Sequence, residues 1–100
     1  MAIPKPLVSI IIANLNGGTI FKDCLSSLSK INYPNCELII VDNGSSDGTQ
    51  NLATIRNKKN LGFAKANNAG AALARGEYLF FLNIDTHLDK NCLKLLYQKA

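Results

Sequence analysis

Three hydrophobic runs in this chain each end on Asn or Asp. They are Val8-Ser9-Ile10-Ile11-Ile12-Ala13-Asn14, Leu38-Ile39-Ile40-Val41-Asp42-Asn43 and Tyr78-Leu79-Phe80-Phe81-Leu82-Asn83-Ile84-Asp85. Side chains of these types can do two kinds of chemistry. A carboxylate such as Asp85 can hold Mg²⁺ or Mn²⁺, hard cations commonly bound by one or two carboxylates together with substrate phosphate oxygens. The neutral Asn83 beside it can orient such a shell but is a weaker ligand. An amide such as Asn43 both donates and accepts, which suits the edge of a pyrimidine ring. A diphosphate leaving group needs its charge neutralised as its bond to carbon breaks, and a cation held at Asp85 would do that. The competing readings are structural: an Asx turn in which Asp42 caps the next segment, and a plain turn at Asn83 and Asp85.

The apolar runs determine whether these groups meet. Their near-continuous hydrophobicity is that of strands buried on both faces, as in parallel sheets. In an open parallel sheet, ligands bind outside the carboxyl ends of the strands, where all these polar residues fall. The pattern predicts strands over 8–14, 36–42, 55–57 and 78–83. A helix is predicted over 19–30 with Ile20, Cys24, Leu28 and Ile31 inward, and another over 63–74 with a small-residue face of Ala66, Ala69, Gly70 and Leu73. A short helix is expected from Ser45 or Ser46, as N-cap, to about Ala53. A last one is expected over 90–99 behind Asp89. Strand–helix alternation at this spacing implies an α/β fold: a Rossmann-like parallel sheet of about four strands with flanking helices and right-handed crossovers, in one unit over 1–100.

Bulk properties narrow the function. The 100 residues carry a net charge of +4, from 11 basic and 7 acidic side chains. That is too mild and scattered for a nucleic-acid-binding arm, but compatible with an anionic small ligand. Cys24, Cys36 and Cys92 form no CxxC pair, so zinc and thioredoxin chemistry are not indicated and buried, reduced thiols are expected. No segment approaches the ~20 apolar residues of a membrane span, and residues 1–6 lack the apolar centre of a signal peptide. The cytoplasm, or the inner face of its membrane, is the expected compartment. There is no GxxxxGK[ST] loop, no GxGxxG after the first strand and no GxSxG elbow. His87, the only histidine, reads as a surface residue, and Lys58-Lys59 as a solvated turn.

Several segments together resemble family-2 glycosyltransferases of the GT-A fold. They are Val8-Ser9-Ile10-Ile11-Ile12, then the stretch from Tyr33-Pro34-Asn35 through Val41-Asp42-Asn43-Gly44-Ser45-Ser46-Asp47-Gly48-Thr49, then Asn60-Leu61-Gly62-Phe63-Ala64 with Asn67-Asn68-Ala69-Gly70, and Gly76-Glu77-Tyr78 through Asn83-Ile84-Asp85-Thr86. The resemblance implies transfer of a sugar from a nucleotide-diphosphate donor to a saccharide or lipid-linked acceptor, with a divalent metal. It places the nucleotide at Ala13, Asn14, Leu15, Asp42, Asn43 and Asn83, and maps the family's Asp-x-Asp metal motif onto Asn83-Ile84-Asp85, with Asp85 as the ligand. The chain departs from the common pattern in three places. Ala13-Asn14-Leu15-Asn16 stands for Pro-Thr-Tyr-Asn, Asn43 for a second Asp, and Asn83 for the first Asp of the metal motif. The last two changes resemble the rhamnosyl- and galactofuranosyl-type branch, which implies a UDP- or TDP-sugar.

Family catalytic domains are longer than this chain, and nothing after Asp85 fits the catalytic base of inverting members. The expectation is therefore a donor-binding half, incomplete as a catalyst, with uncovered sheet and helix surface that favours self-association. Two other readings stay open: a non-catalytic nucleotide-binding or association module, and a nucleotidyltransferase-like domain using the loop Asn16-Gly17-Gly18-Thr19 for a triphosphate.

Overall fold

The computed structural model describes residues 6–31 and 35–85. The expected break over 32–34, the Thr86-His87 pair, Asp89, Cys92 and the helix over 90–99 lie outside those residues. Four strands, β1 (Val8–Asn14), β2 (Cys36–Asp42), β3 (Ile55–Arg56) and β4 (Tyr78–Leu82), form one sheet in the order β3-β2-β1-β4. Every neighbouring pair is parallel. Helices α1 (Gly18–Leu28) and α2 (Phe63–Leu73) flank it.

β1 is central because it can be buried on both faces. Along a strand, side chains alternate between faces. Val8, Ile10 and Ile12 therefore pack with Phe21 and Cys24 of α1 and with Ile40 and Leu82. Ile11 points the other way, into a cluster with Ile39, Val41 and Ala66 of α2. Ile11 and Ile12 are fully buried, and each such side chain contributes roughly 1.5–3 kcal/mol. α2 comes close to the sheet at Gly70, where a Cβ would lie only 2.5 Å from Ile11 Cγ2 and 3.2 Å from Val41 Cγ2.

The strand order places the ligand site. From β1 the chain passes through α1 to β2 and on to β3 on one side. From β3, α2 carries it back across the opposite face to β4, on the other side of β1. Right-handed crossovers in opposite directions put α1 and α2 on opposite faces. The strand order therefore reverses between β1 and β4, and the crevice at their carboxyl ends is the switch point at which such sheets bind ligands.

Several local expectations need correction. Ile20 is 55% exposed, and Phe21 is buried instead. The inward stripe is Phe21, Cys24, Leu25 and Leu28, a regular i, i+3, i+4, i+7 helical face. Leu73 is half-exposed rather than inward. β3 stops at Arg56, before Asn57. The segment after β2 is a single 3₁₀ turn, Thr49–Leu52, entered from Gly48, so neither Ser45 nor Ser46 is its cap. Cys24 is buried as expected, but Cys36 is exposed at the start of β2.

The amino end of the sheet is closed by a polar clasp. Register pairs Ser9 with Glu37. The buried Ser9 hydroxyl donates to Glu37 Oε2 at 2.6 Å, and the same oxygen accepts the Arg75 N–H at 2.6 Å. The Gly76 N–H donates to Ser9 Oγ at 2.8 Å. The clasp ties the turn between α2 and β4 to β1 and β2. The Ser9 hydroxyl first, and the Arg75 N–H next, hold the Glu37 carboxyl below its ordinary 4.5.

Two outcomes test this packing. Gly70→Val should destabilise the chain by about 2 kcal/mol or more, because the added methyls overpack Ile11 and Val41; an unchanged urea midpoint would contradict the close approach. For Glu37, a lowered folded-state pKa gives stability that is present above the unfolded value near 4.5 and is lost as pH falls through the folded value. Glu37→Gln should therefore flatten the acid limb of a urea-midpoint profile recorded from about pH 3 to pH 7. An acid limb identical to the unaltered chain's would remove Glu37 from that account.

Candidate functional site

The final residues of β1 and β2, Asn14 and Asp42, are register partners. Parallel pairing turns both side chains to the α1 face, and each is 1% exposed. A carboxylate so buried is tolerated only when its oxygens are hydrogen-bonded. Asp42 Oδ1 accepts from Asn14 Nδ2 at 3.0 Å and from the Ser45 hydroxyl at 2.6 Å. Oδ2 accepts the Gly44 and Ser45 N–H groups at 3.1 and 2.8 Å. Asn14 Nδ2 also donates to Thr49 Oγ1 at 2.9 Å, and Asn14 Oδ1 accepts the Gly17 N–H at 3.2 Å.

These bonds stitch the loop after β1 to the loop after β2. The Asn16 N–H donates to Ser45 Oγ at 2.8 Å, and the Ser46 N–H donates to Asn16 Oδ1 at 2.8 Å. The Gly18 N–H donates to Asp47 Oδ2 at 3.0 Å. The Thr49 hydroxyl donates to Asp47 Oδ1 at 2.5 Å, and with the Thr49 N–H it holds the Asp47 carboxyl below its usual range. Among the described residues, no buried side-chain nitrogen or oxygen lacks a partner. The N–H groups of Asn16, Gly17 and Gly18, which a triphosphate-binding loop would turn to its ligand, are thus spent within the fold.

Asn43 lies on the opposite face from Asp42 and is 5% exposed. Its Nδ2 donates to the Gly62 carbonyl at 3.2 Å, and its Oδ1 accepts from Asn57 Nδ2 at 3.0 Å. The amide therefore anchors the 57–62 loop, keeping one N–H and one lone pair in reserve. Gly62 has φ +92, a conformation L side chains rarely adopt. Its N–H donates to Asn60 Oδ1 at 2.9 Å, and it delivers the chain into α2 at Phe63.

Around the switch point these elements leave an open cleft of about 530 Å³. Ala13 and Asn14 line it from the end of β1, with Leu15 just after it, Asn43 just after β2, and Asn83, Ile84 and Asp85 just after β4. Asp42 is the one predicted site residue that does not line it. It borders a second depression of about 280 Å³ with Gly44, Ser45, Arg56 and Lys58. Ile20, Asn60, Gly62 and Phe63 also line the main cleft. Sequence reasoning gave them no role in the site, although Asn60-Leu61-Gly62-Phe63 lay in a matched segment.

The cleft joins apolar surface (Leu15, Ile20, Phe63 and Ile84) to amide edges (Asn43 and Asn60) and to a single charge, Asp85. Asp85 is exposed, and no hydrogen bond from another described residue engages it. Burial pushes the Cys24 thiol up, and the Asp85 charge adds to it. Among the described residues, no three of His, Cys, Asp and Glu gather to hold a metal ion. No described helix is long and apolar enough to cross a membrane.

A four-stranded parallel sheet with helices on both faces and its cleft at the strand carboxyl ends is a Rossmann-like α/β fold. The family model of glycosyl transferase family 2 matches residues 9–100, and the chain belongs to that family. It is 30% identical to the glycosyltransferase GlyG of Streptococcus pneumoniae, over 94% of this chain and 35% of that protein. It is 33% identical to TuaG of Bacillus subtilis, a putative teichuronic acid biosynthesis glycosyltransferase, over 90% of this chain and 40% of that one. Residues 1–349 of TarS from S. aureus, in complex with UDP-GlcNAc, superpose with a TM-score of 0.83 at 25% identity, covering 91% of this chain and 30% of that one. The mannosyltransferase PcManGT of Pyrobaculum calidifontis, in complex with GDP-Man and Mn²⁺, shares the fold at a TM-score of 0.82 and 24% identity, covering 90% of this chain and 31% of that one. The chain thus spans little more than a third of the relatives it matches.

Asp42→Ala removes the acceptor for four donors and should destabilise the chain by about 3 kcal/mol or more. Limited proteolysis should then cut between Gly44 and Gly48 first. Resistance equal to that of the unaltered chain would show that the loop does not depend on this carboxylate.

Proposed function

We propose that this chain is the donor-binding half of a glycosyltransferase that takes a nucleotide-diphosphate sugar of the UDP or TDP type. The nucleobase end lies against Ala13, Leu15 and Asn43, and the diphosphate end lies toward Asn83 and Asp85. The acceptor is a saccharide or lipid-linked saccharide. The observation that carries this reading is the single cleft at the switch point, which collects residues from the ends of β1, β2 and β4 and puts its one lining carboxylate, among the described residues, at one end. The TarS complex supports it, since that protein holds a UDP-sugar on the same fold.

The donor set fits a divalent cation such as Mn²⁺ or Mg²⁺. One exposed carboxylate with a neutral amide nearby offers hard oxygen ligands and leaves most of the shell to phosphate oxygens. When bound there, the cation would offset the charge that builds on the departing diphosphate. The chain's own residues do the rest. Asp42 and Asn14 keep the rim rigid without touching the donor through their charged or amide ends. Asn43 fixes the 57–62 wall and retains one donor and one acceptor for the base edge. An acceptor hydroxyl also needs a base, and no described residue lining the cleft other than Asp85 is a carboxylate. The internally satisfied loop over 16–18 favours this reading over a nucleotidyltransferase, whose triphosphate would need those N–H groups.

Binding should show as linkage. UDP with Mn²⁺, at about 100 times its dissociation constant, should stabilise the chain by about 2.7 kcal/mol, seen as a rise in Tm. Asp85→Ala should erase the Mn²⁺-dependent part of the rise while leaving a weaker shift from UDP alone. A full Mn²⁺-dependent rise in the variant would take the metal away from Asp85, and no shift in the unaltered chain would contradict donor binding.

A further inference from the structure

Phe63 is the first residue of α2, lines the main cleft and is 56% exposed, the most exposed of the large apolar side chains among the described residues. An aromatic ring left in water at a cleft wall forgoes the burial that places most phenylalanines in cores. Its position is nonetheless fixed. The preceding Gly62 is held through its carbonyl by Asn43 and through its N–H by Asn60. Those same two amides line the cleft with the ring, whereas the other apolar lining side chains, Ala13, Leu15, Ile20 and Ile84, are aliphatic. A flat π-surface beside two amide edges is what a nucleobase requires: a face to stack on, and donors and acceptors for its rim.

We propose that Phe63 is the stacking wall of the nucleobase subsite, with Leu15 as an aliphatic wall of the same cleft and Asn43 and Asn60 as positioning residues that hold the ring in place through Gly62. The inference rests on the donor-binding reading above and adds to it the residue that recognises the base. It also gives Asn43 a second task, since one N–H and one lone pair of its amide hold the loop that carries the ring.

The test compares two probes, UDP and inorganic pyrophosphate, each titrated with Mn²⁺ by calorimetry. Phe63→Ala should weaken UDP by about tenfold or more, the cost of losing one base–aromatic stack. It should leave pyrophosphate unchanged, and Phe63→Tyr should restore UDP. Phe81→Ala serves as the control, because Phe81 is 49% exposed on β4 and does not line the cleft; it should bind both probes like the unaltered chain. The sequence contains no Trp, so Phe63→Trp also provides a single indole reporter. Its fluorescence should be quenched by UDP and not by pyrophosphate. Equal UDP affinity in Phe63→Ala, an equal loss of both probes, or an unquenched indole with UDP bound would each overturn the assignment while leaving donor binding intact. Failure of the unaltered chain to bind UDP at all would instead overturn the donor-binding reading, and this inference with it.

Discussion

The hydrogen bond between Asn14 and Asp42 is the constraint on which the rest of the site depends. It exists because β1 and β2 are parallel and in a register that makes these two residues partners. The same register turns both side chains to one face, where neither meets water. Asp42 then has to find its partners in the protein, and it finds them in the loop that follows it, at Gly44 and Ser45. Asn14 reaches across to Thr49 and back to Gly17. Two loops that would otherwise move independently become one rigid rim, with its polar groups satisfied before any ligand arrives. Preorganisation of this kind removes ordering costs from binding.

That rim explains a division of labour between neighbouring residues. Asp42 and Asn43 are adjacent in sequence, yet strand alternation sends them to opposite faces. Asp42 becomes the structural hub of the loop over 43–49, and Asn43 holds the wall over 57–62. The two residues with the most obvious hydrogen-bonding chemistry thus spend most of it on the fold. The cleft-lining residues that keep exposed surface include Leu15, Ile20, Phe63, Asn83 and Asp85. In the proposed reading, shape and stacking lie at one end of the cleft, charge at the other, and amides in between.

Much of this was legible in the sequence. The strands over 8–14 and 36–42 were readable closely, because each carries a buried apolar run with a sharp polar end. The parallel topology followed from strand–helix alternation. The rule that ligands bind at strand carboxyl ends brought Asn14, Asn43, Asn83 and Asp85 to one cleft, and the family resemblance added Ala13 and Leu15. What could not be read was which way each polar group would face. Periodicity does not reveal that Asn14 and Asp42 would bond each other, since that requires the register. The inward stripe of α1 was misplaced at one position, Ile20 for Phe21, because two adjacent large apolar residues fit a helical repeat about equally well. The short helix after β2 became a 3₁₀ turn because Asp42 and Asp47 draw the backbone N–H groups of Gly44, Ser45 and Thr49 into side-chain bonds. Phe63 went unassigned because its meaning depends on Gly62, Asn43 and Asn60 meeting in space.

The most direct measurement of the central claim is a map of amide chemical shifts by NMR as UDP and then Mn²⁺ are added. A preformed rim at the switch point predicts UDP perturbations concentrated at Ala13, Leu15, Asn43, Asn60 and Phe63, and paramagnetic broadening by Mn²⁺ centred on Asp85. The amides of Gly44, Ser45 and Gly17 should stay nearly still, because their partners are already in place. Perturbations centred on Arg56 and Lys58 at the second depression, or broad rearrangement of the loop over 43–49, would contradict the account.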